Sequence, residues 1–291
     1  MYIGIICEFD PLHSGHARLL SHARAMGADA VICAMSGNFT QRGSFAALDK
    51  RARAEMAVRC GADLVVELPT VWAMSPAETF ARGGVQLLAL TDVDTLLFGS
   101  EYGELSALRR LADCLDSPAF ADRLTAADSG ATFAVRRQRA AAALLGDADA
   151  ALLESPNNTL AVEYLRALRR TGTSMTPATL LRTGAAHDGA PEDGTASASY
   201  LRQLLRQGQG EAACGFTPPE AADILRRELS HGRVTDSALC ERAVLSRLRV
   251  MTEEDWRGYD PGGEGLYHRL YQAARSACTV DGLLSAAKTK R

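Results

Sequence analysis

The segment Glu8-Phe-Asp-Pro-Leu-His-Ser-Gly-His16 carries the most specific chemistry in the chain. Two histidines, His13 and His16, flank Gly15 where a short apolar run gives way to a helix-patterned segment. The amino end of a helix presents unpaired backbone N–H groups and a positive dipole end, so an anion is stabilised there. Gly15 lets the backbone come close to such an anion. Imidazoles beside it can donate hydrogen bonds to phosphate oxygens as charge builds up in a transition state. A nucleotidyl transfer performed this way needs positioning and electrostatics and no covalent intermediate. Taken by itself, the motif has a competing reading as two incidental loop histidines.

Four further stretches offer groups of the same kind. Ser36-Gly-Asn-Phe39 is followed by Gln41-Arg42-Gly43, a polar fork beside a flexible residue that suits a planar anion or forms an ordinary polar loop. Asp49 is placed to cap the next helix, with Lys50 at its start. A lysine at a positive helix end is explained by a nearby phosphate or by plain solvation. Phe98-Gly99-Ser100-Glu101 ends an apolar run, where a glycine admits a ligand to the backbone or makes a tight turn. Ser197-Ala-Ser199 with Arg202 opens a helix, whose hydroxyls and guanidinium suit phosphate oxygens and equally suit a capped surface helix.

The elements that must position these groups follow from periodicity. Over the first hundred residues, short apolar runs alternate with helix-patterned segments, the pattern of βαβ units and a parallel sheet. Strands are predicted at Tyr2 to Cys7, Ala30 to Met35, Leu64 to Glu67 and Thr95 to Phe98, each apolar as a strand covered on both faces should be. Helices are predicted at Gly15 to Met26, Asp49 to Cys60 and Pro76 to Leu90. The loops after the strands are where an open α/β sheet places its ligands. Beyond Glu104 the pattern is helical, with a strand at Thr179 to Thr183 and a helix from Asn158 to about Arg170 that Asn158 can cap and Gly172 can end. Ala185 to Thr195 reads as an exposed loop, and amphipathic helices are expected at Pro218 to Ser230, Asp236 to Val250 and Glu264 to Ala277. The expectation is an α/β fold with a Rossmann-like parallel sheet over residues 1–208 and a helical C-terminal region over 209–291.

Composition narrows the function classes. The 291 residues carry 32 basic and 35 acidic side chains, a formal net charge of −3, so no global positive field draws in nucleic acid and any RNA contact must be local. Basic residues slightly outnumber acidic ones from Arg226 onward, a weak RNA signal that solvated helix faces also explain. Seven scattered cysteines, never as CxxC, suggest neither a disulfide framework nor a zinc ribbon. The first residues lack the basic start of a signal peptide, and no apolar run approaches the roughly 20 residues of a membrane helix, so a cytoplasmic protein is expected. P-loop, dinucleotide, GxSxG and HExxH motifs are absent from the sequence. His22, His187, His231 and His268 read as structural, His187 having the best claim otherwise, and Trp72 and Trp256 read as packing residues.

The chain resembles the HIGH-signature nucleotidylyltransferase superfamily and, within it, the tRNA(Met) cytidine acetate ligase family. The resemblance runs through Gly4 to His16, Met35 to Gly43, Asp49-Lys50 with Arg53, Gly61 to Pro69, Phe98 to Glu101, Ser155 to Asn158 with Glu163-Tyr164, Ser197 to Ser199 with Arg202, and Ser285 to Arg291, in order. It implies that acetate is activated by ATP as acetyl-adenylate and passed to N4 of the wobble cytidine of elongator tRNA(Met). His13 and His16 are then the catalytic pair at the α-phosphate. The implied ATP contacts are Cys7, Glu8, Phe9, Gly15, Gly99, Asn158 (Asn157 being adjacent), Arg182, Ser197, Ser199 and Arg202, with Lys50 or Arg42 on the departing pyrophosphate. Mg2+ is expected with the phosphates, without a dedicated protein site. Neither a membrane nor a stable protein partner is implied.

Asp10 and Ser14 stand where the family usually has Asn, Thr40 replaces an apolar residue, and Ser199 replaces Thr. Lys288-Thr-Lys-Arg291 matches a block that the family follows with a further C-terminal region, so adenylate formation is the firmer expectation and RNA acetylation the weaker. Two alternatives stay open: an adenylyltransferase for another small acid or phosphorylated metabolite, and a non-catalytic RNA-binding protein on the same fold.

Overall fold

Five strands, β1 (Tyr2–Cys7), β2 (Ala30–Ser36), β3 (Leu64–Leu68), β4 (Thr95–Ser100) and β5 (Thr176–Leu181), form one sheet in the order β3-β2-β1-β4-β5. The computed structural model describes residues 1–126, 130–183, 191, 194–235, 237–259 and 265–288. Every pairing is parallel, with Tyr2 opposite Ala30 and Cys7 opposite Met35 between β1 and β2, and Thr95 opposite Thr176 between β4 and β5. All five carboxyl ends therefore lie at one edge. The chain steps outward from β1 to β3 and returns to place β4 on the other side of β1, which puts the reversal of strand order between β1 and β4. A crevice opens at such a point in an open α/β sheet.

The helices between the strands are α1 (Ser14–Ala25), α2 (Lys50–Arg59), α3 (Thr70–Ala73), α4 (Ala77–Ala89), α5 (Leu105–Leu115), α6 (Pro118–Ala126), α7 (Phe133–Leu145), α8 (Asp147–Ala150) and α9 (Pro156–Thr171). After β5 come α10 (Ala198–Arg206), α11 (Gly210–Cys214) and α12 (Pro219–Ser230). Successive strand residues point to opposite faces, so the apolar runs feed two cores. Ile6, Ile32, Leu96 and Phe98 pack under α4, α5 and α9, while Ile3, Ile5, Val31 and Leu97 pack under α1, α2, α10 and α12. Each such buried side chain contributes roughly 1.5–3 kcal/mol of apolar burial. The edge strands depart from the expected two-sided cover: Leu64 at the start of β3 is 46% exposed and Leu181 at the end of β5 is 47% exposed. They have a neighbour on one side only, and helices screen them less completely.

The compact units are Met1–Thr235 and Asp236–Arg291, so the division falls well beyond the boundary expected near Gly208. Gly208 is a left-handed helix stop, with φ 72°, and not a linker. The apolar faces of α11 and α12, through Ala213, Ala221, Ile224 and Leu225, complete the core beneath α1 and α2. Thr235 N–H then donates to Ala47 O at 2.8 Å, fastening the chain to the first unit just before it ends. The second unit comprises α13 (Ser237–Val250), α14 (Glu253–Arg257), α15 (Leu266–Ser276) and α16 (Val280–Ala287), packed around Leu245, Met251, Trp256 and Leu283. No helix among the described residues is long and apolar enough to cross a membrane.

Candidate active site

The site starts where β1 hands over to α1. His13 is the N-cap of α1 and buried, and its Nδ1 accepts from Gly15 N–H at 3.0 Å. His16, half-buried one turn on, accepts at Nδ1 from His13 N–H at 3.4 Å, which closes a capping box. The imidazoles stack with centroids 3.7 Å apart and planes 29° apart. A side chain at position 15 does not fit this arrangement, because a Cβ there would lie 2.9 Å from His13 Cε1. Phe9 supports the pair from behind, its ring 5.0 Å from that of His16 and its backbone in the left-handed region at φ 47°. A bulky residue held there is strained, as residues near functional sites often are.

Both histidines are neutral. Burial holds His13 down to about 3, with Arg182 and Arg202 adding to the effect. Burial, then His13 and the same two arginines, holds His16 well below the ordinary imidazole value. Since Nδ1 of each ring is an acceptor, the ring proton sits on Nε2. That leaves two N–H donors side by side without a partner among the described residues.

A cavity of about 80 Å³ opens beside the pair, lined by His13, Gly15, His16, Gly99, Arg182 and Thr195 among others. Gly99, in β4, leaves space for Arg182, whose Cγ a Cβ at 99 would meet at 3.2 Å. Arg182 follows β5 directly and is held by its N–H to Ser100 O at 2.9 Å. Arg18 and Thr183 also line the cavity and hydrogen-bond to each other. Sequence reading did not single out Arg18, although its position three residues after Gly15 puts both on one face of α1. Ser197 caps α10, accepting from Tyr200 N–H at 3.2 Å, and its hydroxyl lies 3.1 Å from that of Ser199.

Arg202, also on α10, reaches back to the β1–α1 loop. Its Nη1 donates to Asp10 O at 2.7 Å and lies 3.6 Å from Asp10 Oδ2. Asp10 is buried; Oδ1 accepts from Ala47 N–H at 2.6 Å, and Oδ2 has no hydrogen-bond partner among the described residues. Burial raises the carboxyl of Asp10 above the ordinary range despite the opposing pull of Arg202. Glu8 is raised by burial as well, and accepts from Gln41 N–H at 2.6 Å. Behind these loops, the fully buried Arg53 of α2 donates only to main-chain carbonyls: Nε to Leu48 O at 3.1 Å, Nη1 to Glu8 O, and Nη2 to Ser36 O at 3.1 Å and to Gly37 O. One side chain thereby ties together the loops after β1 and β2. Cys7, at the end of β1, is buried beside Cys33, and burial keeps its thiol protonated.

Other predicted residues lie apart from the imidazoles. Lys50 Nζ is engaged by both carboxylate oxygens of Glu67, at 2.8 and 2.6 Å, and Arg42 is exposed on its loop. Asn158 is buried and its Oδ1 accepts from Tyr102 N–H at 3.1 Å, bracing the loop after β4. Glu101 receives the N–H groups of Asn157 and Asn158 at 3.2 and 2.8 Å, so the start of α9 is already supplied with a negative charge. Trp72 packs on Gly83 and under Arg82, and Trp256 sits in the core of the second unit. His268 is exposed beside Glu253, and His187 lies outside the described residues. A larger cavity, about 370 Å³, lies at the amino end of β5 among Arg109, Leu165, Leu168 and Met175, and none of the motif residues lines it. Among the described residues no group of three or more His, Cys, Asp or Glu is arranged to hold a metal ion.

The whole chain, residues 1–291, matches the family model of the HIGH Nucleotidyl Transferase. The tRNA(Met) cytidine acetate ligase of Syntrophotalea carbinolica is 40% identical over 302 residues, covering 99% of this chain and 70% of that protein. The ligase of the same name from Halothermothrix orenii is 35% identical, covering 99% of this chain and 72% of that protein. Thermotoga maritima TmcAL superposes with a TM-score of 0.92 in its apo form and 0.89 in the form bound with alpha-thio ATP. Both structures are 32% identical and cover 100% of this chain and 71% of theirs. The chain therefore belongs to the HIGH nucleotidyl transferases and, among them, to the tRNA(Met) cytidine acetate ligase family.

Proposed function

We propose that this chain is an ATP-dependent ligase that activates acetate as acetyl-adenylate and then acetylates N4 of the wobble cytidine of elongator tRNA(Met), in the cytoplasm. The observation that carries the chemistry is the neutral imidazole pair, each Nδ1 committed to the backbone of α1 and each Nε2–H left as a donor. The curated names of the relatives and the alpha-thio ATP of T. maritima TmcAL support ATP, acetate and tRNA(Met) as the reactants.

In the first step a carboxylate oxygen of acetate forms a bond to the α-phosphorus, and the bond to the β,γ-pyrophosphate breaks. His13 and His16 stabilise the added charge through their Nε2–H groups without giving up a proton, because a donor already in place costs no reorganisation. Ser197, Ser199, Arg182 and Arg202 hold the phosphates, with Gly15 and Gly99 admitting them to the backbone and Arg18 adding a cation. Cys7, Glu8, Phe9 and Asn158 are assigned to further ATP contacts, and Lys50, now paired with Glu67, or Arg42 to the departing pyrophosphate. In the second step N4 of the cytidine bonds to the acetyl carbonyl carbon, the bond to AMP breaks, and the amine loses a proton. Proximity is the main requirement, since the adenylate is already reactive.

Mg2+ would accompany the ATP phosphates and neutralise part of their charge, and no group of three or more His, Cys, Asp or Glu among the described residues is arranged as a cage for it. We assign the helical second unit to the RNA side, supported by its cation–aromatic pairs Arg257 with Tyr267 and Arg275 with Tyr271. The deciding experiment is acetate-dependent ATP–pyrophosphate exchange followed by acetylation of a tRNA(Met) transcript. Exchange with another acid but not acetate replaces this reading with a different adenylyltransferase. RNA binding without exchange replaces it with a non-catalytic protein.

A further inference from the structure

Among the described residues, Asp10 is the one carboxylate in contact with an arginine assigned to the phosphates, and its two halves contact that arginine differently. Its main-chain oxygen accepts a direct hydrogen bond from Arg202 Nη1 at 2.7 Å, which fixes where the guanidinium sits. Its side chain makes no hydrogen bond to Arg202. Oδ1 is taken by Ala47 N–H, and the buried Oδ2, unpaired, lies 3.6 Å from Nη1 and interacts only through charge. Nε and Nη2 of Arg202 make no hydrogen bond with any described residue. The arginine is held by a carbonyl, partly neutralised by a carboxylate, and open on its other donors.

We propose that Asp10 is a positioning residue whose carboxylate sets how much of the Arg202 charge an incoming triphosphate meets, weakening ATP binding and easing pyrophosphate release. The inference rests on the assignment of Arg202 to the phosphates. A negative charge buried next to a phosphate-binding cation repels the ligand through a medium of low dielectric, so its effect is larger than that of a surface charge. Binding energy withheld from the bound triphosphate and from pyrophosphate favours turnover over retention.

The test is ATP–pyrophosphate exchange with acetate, measured on Asp10→Asn and Arg202→Ala beside the wild type, with melting curves on each. Asp10→Asn keeps the main-chain carbonyl and the acceptor for Ala47 N–H, removes the charge and puts an NH2 group in place of the unpaired Oδ2. It should lower the KM for ATP and the inhibition constant of pyrophosphate about three- to tenfold without raising kcat. Arg202→Ala should raise the KM for ATP. Among the described residues, the charged groups facing Asp10 are Arg202 from α10, Arg53 from α2 and Glu8 from the loop after β1. As pH rises and Asp10 ionises, the wild type should bind ATP less tightly relative to Asp10→Asn, and titration of ATP itself cancels in that comparison. An unchanged or raised KM in a folded Asp10→Asn overturns the proposal while leaving the function reading intact. An unchanged KM in Arg202→Ala overturns the phosphate assignment and the proposal with it. Should Asp10→Asn fail to fold, Asp10→Ser, which also offers Ala47 an acceptor, is read by the same criteria.

Discussion

His13 and His16 hold one helix end from two sides: His13 Nδ1 takes Gly15 N–H at 3.0 Å, and His16 Nδ1 takes His13 N–H at 3.4 Å, with the rings stacked at 3.7 Å. The same hydrogen bonds that start α1 thus choose the tautomer of both rings. Chemistry and capping can be separated by substitution. His16→Ala should cut acetate-dependent exchange about 100- to 1000-fold, the loss typical of a removed oxyanion donor, while the protein stays folded. His13→Ala should lose as much activity and in addition about 1 kcal/mol of stability with its cap. Full exchange activity in a folded His16→Ala would refute the catalytic assignment.

The neutral state of His13 makes stability depend on pH in a defined sense. Its imidazole is held at about 3 in the fold, against 6.5 for the ordinary group. The unfolded chain therefore takes up a proton between these values that the folded chain refuses. This contribution is complete above pH 6.5 and is lost as pH falls toward 3. Thermal melts at pH 7.5 and 4.5 should show a larger drop for the wild type than for His13→Asn, which keeps a capping side chain without the titration. Equal drops would mean that other groups govern acid unfolding.

Gly99→Ala places a methyl 3.2 Å from Cγ of Arg182. The backbone of β4 tolerates alanine, so the arginine yields and swings from the cavity it lines. We expect a KM for ATP raised about tenfold with a melting temperature within a few degrees of the wild type. A shift in melting without a shift in KM would show that Gly99 serves the strand and not the ligand.

Arg53 is the test of the scaffold behind the site. Arg53→Met removes every hydrogen bond from the guanidinium to the carbonyls of Glu8, Ser36, Gly37 and Leu48, at a cost of about 3–5 kcal/mol. Arg53→Lys keeps the charge but not the fork and should recover only part of it. Urea unfolding of both variants measures the difference, and a lysine variant as stable as the wild type would show that charge alone is needed.

Much of this arrangement was readable beforehand, and the reasons divide by the range of the interactions. β1, β2 and β4 are apolar on both faces, and their runs announce themselves; the end of α9 at Gly172, with φ 64°, follows from local chain chemistry, whereas its start lies at Pro156 after Ser155, two residues before the expected Asn158, because a proline fits the first helical turn and Asn158 sits inside the helix without capping it. β5 begins at Thr176, three residues before its expected start, because an edge strand containing Pro177 has little apolar pattern to read. The pairing of Lys50 with Glu67 depends on the register of β2 with β3, which no local pattern encodes. The placement of α11 and α12 on the first core depended likewise on which apolar face found a partner, information that a glycine at 208 does not carry. The imidazoles and Gly15 were legible because the whole constellation lies within a few residues of one helix start. Arg18 and Asp10 acquire their roles only through contacts with Thr183 and Arg202, far along the chain.

Because Arg53 grips carbonyls from two successive loops with a single rigid plane, those loops cannot yield one at a time. A guest arriving from the β2 side meets a wall that moves as a block with α2 or does not move at all. Accommodation is expected from the opposite flank, where Arg182 and Thr183 follow an edge strand that has no further strand beyond it among the described residues. The enzyme thus has a fixed jaw and a free one, and adapting it to bulkier acids should begin with residues on the free side.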